Sequence, residues 1–133
     1  MSTREALLAA VATTLSGLAG GRVYRSRREQ LPTLPAIVIA PQDEEAIEIV
    51  LGYIDRRLKV GIEVLAKGDT PDNAADATLA AAWAALAANP QLGLGSEVQL
   101  ESEHAISWDF EDYDYVRATL TITCNYRTTF GAM

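Results

Sequence analysis

From Val98 to Tyr126 the sequence alternates with a period of two on both sides of a single turn. Val98, Leu100, Ile106, Trp108 and Phe110 share one parity, opposite Glu97, Gln99, Glu101, Glu103 and Asp109. After the acidic turn from Glu111 to Asp114, Val116, Ala118, Leu120, Ile122, Cys124 and Tyr126 alternate with Tyr115, Arg117, Thr119, Thr121, Thr123 and Asn125. Side chains on a strand point alternately to its two faces, so this pattern predicts a hairpin with one apolar and one polar face. Each strand runs about 13 residues, or roughly 40 Å, against a usual length of five or six residues. A domain of 133 residues is short of material to cover such a hairpin alone.

The rest of the chain must supply that cover. Ser2 and Glu5 have capping-box spacing, and Leu7, Leu8, Val11, Leu15 and Leu18 recur at helical intervals, which predicts a helix over 3–16. Gly17 and Gly20-Gly21 stop it. A short strand follows at 22–26, and Pro32 and Pro35 keep the next segment extended. The run Ile37-Val38-Ile39 predicts a strand over 36–40, Asp43-Glu44-Glu45 a solvated turn, and the alternation of Ile47, Ile49 and Leu51 a further strand. Beyond Gly52, Ile54, Arg56, Leu58, Val60, Ile62 and Val64 oppose Asp55, Arg57, Lys59 and Glu63 on a returning strand. Gly68 to Asp72 starts a second helix, alanine-rich, carrying Leu79, Trp83 and Leu86 and ending before Asn89-Pro90. The order is α-β-β-β-β-α-β-β. This is an α+β domain spanning 1–133, a largely antiparallel sheet with two helices on one face and a long C-terminal hairpin.

Charge narrows the function. Eleven Lys and Arg stand against 18 Asp and Glu, a net charge of −7, which repels polyanions unless the basic groups are segregated. The lone Cys124 excludes an intrachain disulfide and any cysteine-rich zinc site, and fits a reducing cytoplasm. Residues 1–21 lack the pattern of a secretory signal, and the apolar tract at 77–88 is too short to cross a bilayer, so a soluble protein is expected.

Catalytic candidates are sparse. His104, the single histidine, shares the parity of Val98, Leu100 and Trp108 and reads as a packed or interface residue, since no nucleophile and acid accompany it in a recognisable motif. Cys124 reads as a buried thiol. Asp109, Glu111, Asp112 and Asp114 could offer oxygens to calcium or magnesium, but lack EF-hand spacing and read as a solvated turn. Gly93-Leu94-Gly95 lacks the third glycine of a dinucleotide loop. No catalytic residue, metal ligand or cofactor is assigned; a small metal-dependent enzyme built on His104 and the acidic turn is the remote alternative.

Arg22, Arg25, Arg27 and Arg28 form a cluster with three readings: a solvated segment, a patch that pairs with acids of a neighbouring copy, or a DNA contact. In an extended segment Arg25 and Arg27 project opposite to Arg22 and Arg28, poor geometry for one phosphate stripe. Pairing with a neighbour suits arginine forks in a chain with acid to spare.

Several stretches together resemble the tail terminator proteins of long-tailed phages, relatives of minor tail protein U of lambda-like phages. They are the leading amphipathic helix, the arginine segment running into Leu34-Pro35-Ala36-Ile37-Val38-Ile39, the strand from Arg56 to Val64, Ala75-Asp76-Ala77 before the alanine helix with Trp83, and the closing Tyr126-Arg127-Thr128-Thr129. The resemblance implies a structural virion protein with no catalysis. Its copies would form a ring, expected to be a hexamer, on the tail tube in the virion tail, assembled in the bacterial cytoplasm. The ring would stop tube growth and present a surface to the head-tail connector, with DNA passing its lumen without specific binding. A neck or connector role is the nearest alternative. Under this reading the candidate subunit contacts are Arg22, Arg25, Arg27, Arg28, Arg56, Arg57, Glu101, Glu103 and Arg117.

Overall fold

The computed structural model describes residues 2–26, 33–112 and 114–131. Helix α1 spans Thr3–Thr14, opened by the Ser2 hydroxyl, which accepts from the Glu5 amide at 3.1 Å. A single 3-10 turn over Ala19–Gly21 leads into β1, Val23–Arg25. Strands β2, Ala36–Val50, and β3, Tyr53–Lys67, form a hairpin. Leu51 and Gly52 both take positive φ, 48° and 86°, as a two-residue hairpin turn matched to strand twist requires. Helix α2, Pro71–Ala87, begins with proline in its first turn, where the missing N–H costs nothing. Strands β4, Val98–Asp112, and β5, Tyr115–Thr129, close the chain.

The five strands form one sheet in the order β1-β2-β3-β5-β4. β1 runs parallel to β2, and every other pair is antiparallel. Both helices lie on one face. Leu7, Leu8, Val11 and Leu15 of the first helix region and Ala75, Leu79, Ala82 and Leu86 of α2 bury against Ile37, Ile39, Val60, Ile62, Val64, Leu120 and Ile122. The expected α+β class, the helices and the long hairpin are all present.

One expected boundary is absent. The strands predicted at 36–40 and 47–51 are a single strand, and Asp43-Glu44-Glu45 is part of it rather than a turn. Two register shifts, between Pro41 and Glu44 and between Ala46 and Glu48, let β2 bend while it stays paired with β3. The acids are tolerated because basic side chains from other elements meet two of them: Arg4 reaches Glu44, and Arg57 lies 3.5 Å from Glu45. Pro41 is tolerated because β1 pairs only with 37–39, so that among the described residues no strand pairs with β2 on that side beyond this point.

Candidate functional site

A polar hub sits on the helix-bearing face where β2, β3 and β5 outrun the apolar core. Arg4 of α1 grips Glu44 with two hydrogen bonds, one from Nε at 2.9 Å and one from Nη2. The Tyr126 hydroxyl donates to the same carboxylate. Arg56 lies 3.5 Å from Glu44 and donates from Nε to Thr128 Oγ1 at 3.0 Å. The Glu44 side chain is 14% exposed. Burial works against its ionisation, but the hydrogen bonds from Arg4 and Tyr126 and the nearby charge of Arg56 outweigh it, holding the carboxyl below its usual range. Burial and the bond to Glu44 push the Tyr126 phenol up to about 12. The hub ties α1 to the sheet; it presents no nucleophile and no open oxygen cage.

Among the described residues the opposite face of the sheet carries no helix and is largely polar, with Val38 and Leu65 as buried apolar exceptions. Glu101 Oε2 accepts from Arg57 Nε at 3.1 Å and from Asn125 Nδ2 at 3.0 Å, spanning three strands. Arg127 forks onto Asp55 at 2.7 and 3.1 Å and lies over the Tyr53 ring, so its hydrogen bonds hold the Asp55 carboxyl low. Thr119, Thr121 and Thr123 line the middle of this face, half-buried.

The largest departure from the sequence reading lies on β4. Val98 and Leu100 are buried as their parity predicts, but every residue from Ser102 to Phe110 is exposed. A bulge between Leu100 and His104 sets three residues opposite Thr123, and β4 continues as the edge of the sheet while α2 packs chiefly on β3 and β5. Ile106, Trp108 and Phe110 keep the parity of the core face yet are 44%, 41% and 60% exposed. Trp108 and Phe110 form one wall of a groove of about 710 Å³ whose other wall is Thr70, Asp72, Asn73 and Asp76 at the start of α2. His104 is exposed, with its ring 4.0 Å from that of Trp83 and Nδ1 3.1 Å from the Ser102 carbonyl oxygen. A second apolar group lies at the other end of the sheet, where Ile49, Leu51, Tyr53 and Phe130 surround the β2–β3 turn and Leu51 is 94% exposed.

The candidate contact residues are dispersed. Arg22 Nε donates to the Pro35 carbonyl at 2.8 Å, and Arg25 meets Glu5 of α1 at 3.1 Å. Arg56 belongs to the hub, while Arg57 and Glu101 bridge strands on the open face. Arg117 is half-buried on that face opposite Asp109, and Glu103 is exposed in the bulge. Arg27 and Arg28 lie outside the described residues, as do the side chains of Glu111 and Asp112. Cys124 is buried, and its thiol is pushed up to about 12 chiefly by burial. Among the described residues no three His, Cys, Asp or Glu side chains converge as metal ligands would, and no helix is long and apolar enough to cross a membrane.

The architecture has a counterpart among solved structures. A chain from the virion of a native gene transfer agent particle superposes with a TM-score of 0.68, covering 92% of this chain and 95% of that chain, at 20% sequence identity. At that identity the likeness is one of fold. No family model and no curated protein matches the sequence.

Proposed function

We propose that this chain is a structural virion protein of the tail-terminator type: copies of it form a ring at the end of the tail tube, stop tube growth and offer the head-joining surface. One observation carries the reading. Ile106, Trp108 and Phe110 continue the core face of the sheet onto an edge strand that neither helix covers, and buried apolar area is the main drive for association. The fold likeness to a virion component over nearly the whole chain supports the setting. The mechanism is geometric: one face of the ring fits the tube end, and the other does not fit a further tube ring. The acidic balance suits a lumen that lets DNA pass without adhering. Electron microscopy of tail tubes mixed with the purified protein tests the role: density capping the tube ends is expected, and bare ends refute it. The structural likeness is to a virion particle and names no station within it, so a neck or connector role is the second reading; there the protein would decorate isolated portal-bearing heads and leave tube ends bare.

A further inference from the structure

The sheet ends laterally in two unlike edges. One is β1, flanked by Arg22 and carrying Arg25; the other is β4, carrying Glu101, Glu103 and Asp109. Among the described residues no strand pairs with the outer side of either, and the one described backbone bond there, from the Leu100 amide to Pro90 O at 2.8 Å, lies ahead of the stretch 102–110. On β1 the inward groups are identifiable: the Ile37 amide donates to Arg22 O, and the Ser26 amide donates to Ile39 O. Alternation along the strand therefore directs the N–H and C=O groups of Val23 and Arg25 outward.

The register carries the matching further. On the helix-bearing face one row reads Val23, Ile37, Val64, Ala118, Trp108, and the next reads Arg25, Ile39, Ile62, Leu120, Ile106. On the open face the row between them is Tyr24, Val38, Glu63, Thr119, Ser107. β1 thus lies at the level of the exposed stretch of β4, at opposite sides of the same sheet. Because β1 is parallel to β2, and β2 antiparallel to β3, β3 to β5 and β5 to β4, β1 runs antiparallel to β4. Copies related by rotation about an axis along the strands keep both the level and the direction.

We propose that β1 of one copy adds to the free edge of β4 of the next, extending the sheet from subunit to subunit and setting Val23 against Trp108 and Ile106; this rests on the assembly reading above. The contact is heterologous, so it closes into a ring when the rotation per copy divides a full turn. Charge selects this pairing over its competitors. Arg22, which shares the parity of Tyr24, comes level with Asp109 on the open face, and its guanidinium has five N–H donors, more than its described contact with Pro35 uses. Two β4 edges together would bring Glu101, Glu103 and Asp109 against their own copies. The part of β2 beyond its pairing with β1 carries Pro41, which has no N–H to give, and four acids, Asp43, Glu44, Glu45 and Glu48, which would face the acids of β4.

Cysteine cross-linking in the full chain tests the pairing. Tyr24→Cys is combined in turn with Ala105→Cys, Ser107→Cys and Asp109→Cys, which cover the aligned row and a slip of two residues either way on the open face. The buried Cys124 stays in place, and each single variant serves as its control. After oxidation of the assembled protein, at least one double variant is expected to give a ladder of covalent multimers that ends at the ring, while single variants stop at dimers. Amides of 102–110 should also gain protection from exchange on assembly. If the wild-type chain assembles but no double variant cross-links and 102–110 stay unprotected, the edge pairing is overturned and the ring reading survives. If 102–110 gain protection only when tubes are added, without cross-links between copies, the occupant is a tube strand and the proposal fails. If the wild-type chain neither self-associates nor binds tube ends, both readings fail.

Discussion

Glu44→Ala probes how the long strands are tied to the first helix. The substitution removes one carboxylate and strands three donors: Arg4, Arg56, whose side chain is 11% exposed, and the Tyr126 hydroxyl. Breaking a buried ion pair by deleting one partner costs about 3–5 kcal/mol. Arg4, at 27% exposure, regains water, which lowers the expected cost to about 2–3 kcal/mol. At this chain length each kcal/mol moves the melting temperature by roughly 4 °C, so a fall of about 8–12 °C is expected by calorimetry or far-UV dichroism. The loss should depend on pH. The folded carboxyl titrates below its ordinary value of 4.5, so its contribution is fully present above that value and disappears as pH falls through the lower, folded one. The gap between wild type and Glu44→Ala should therefore close in acid. A melting temperature lowered by less than about 2 °C at neutral pH, equivalent to about 0.5 kcal/mol, or a gap unchanged well below pH 4, would refute the role given to the hub.

Two further outcomes follow from packing. Leu120→Ala opens a cavity between the helices and the middle of the sheet, where Leu120 is fully buried, and should cost about 2–5 kcal/mol in urea unfolding; Ile106→Ala, its exposed neighbour across the register, should cost well under half as much. Cys124 should resist a thiol reagent in the native protein, because burial both shields the thiol and keeps it protonated, and should react at once in denaturant. Rapid modification of the native chain would contradict its placement.

The sequence was most readable where one signal acted alone. Parity placed the faces of β3 and β5, and the Ser2–Glu5 cap and the leucine spacing placed α1. It misled where a distant partner decided the outcome. Asp43-Glu44-Glu45 has the composition of a turn, yet Arg4 and Arg57, far from it in sequence, hold it within a strand. Ile106, Trp108 and Phe110 have the correct parity for the core, but parity does not say whether a helix lies above the strand. His104, read as packed or at an interface, lies against the Trp83 ring with the rest of its surface exposed. Among the candidate contact residues Arg22, Arg25, Arg56, Arg57 and Glu101 also make contacts within the chain, with partners that sequence spacing does not reveal.

On the function proposed above, the uncovered edge of this sheet serves assembly at a tail-tube end. The most direct measurement is the mass of the species formed when the purified chain is concentrated with and without tail tubes, by light scattering and electron microscopy, beside Trp108→Ser. A closed species of about six times the 14.3 kDa chain mass is expected, in solution or on tube ends, and is lost in Trp108→Ser while the variant monomer stays folded. A wild-type chain that remains monomeric at all concentrations and leaves tube ends bare would contradict it.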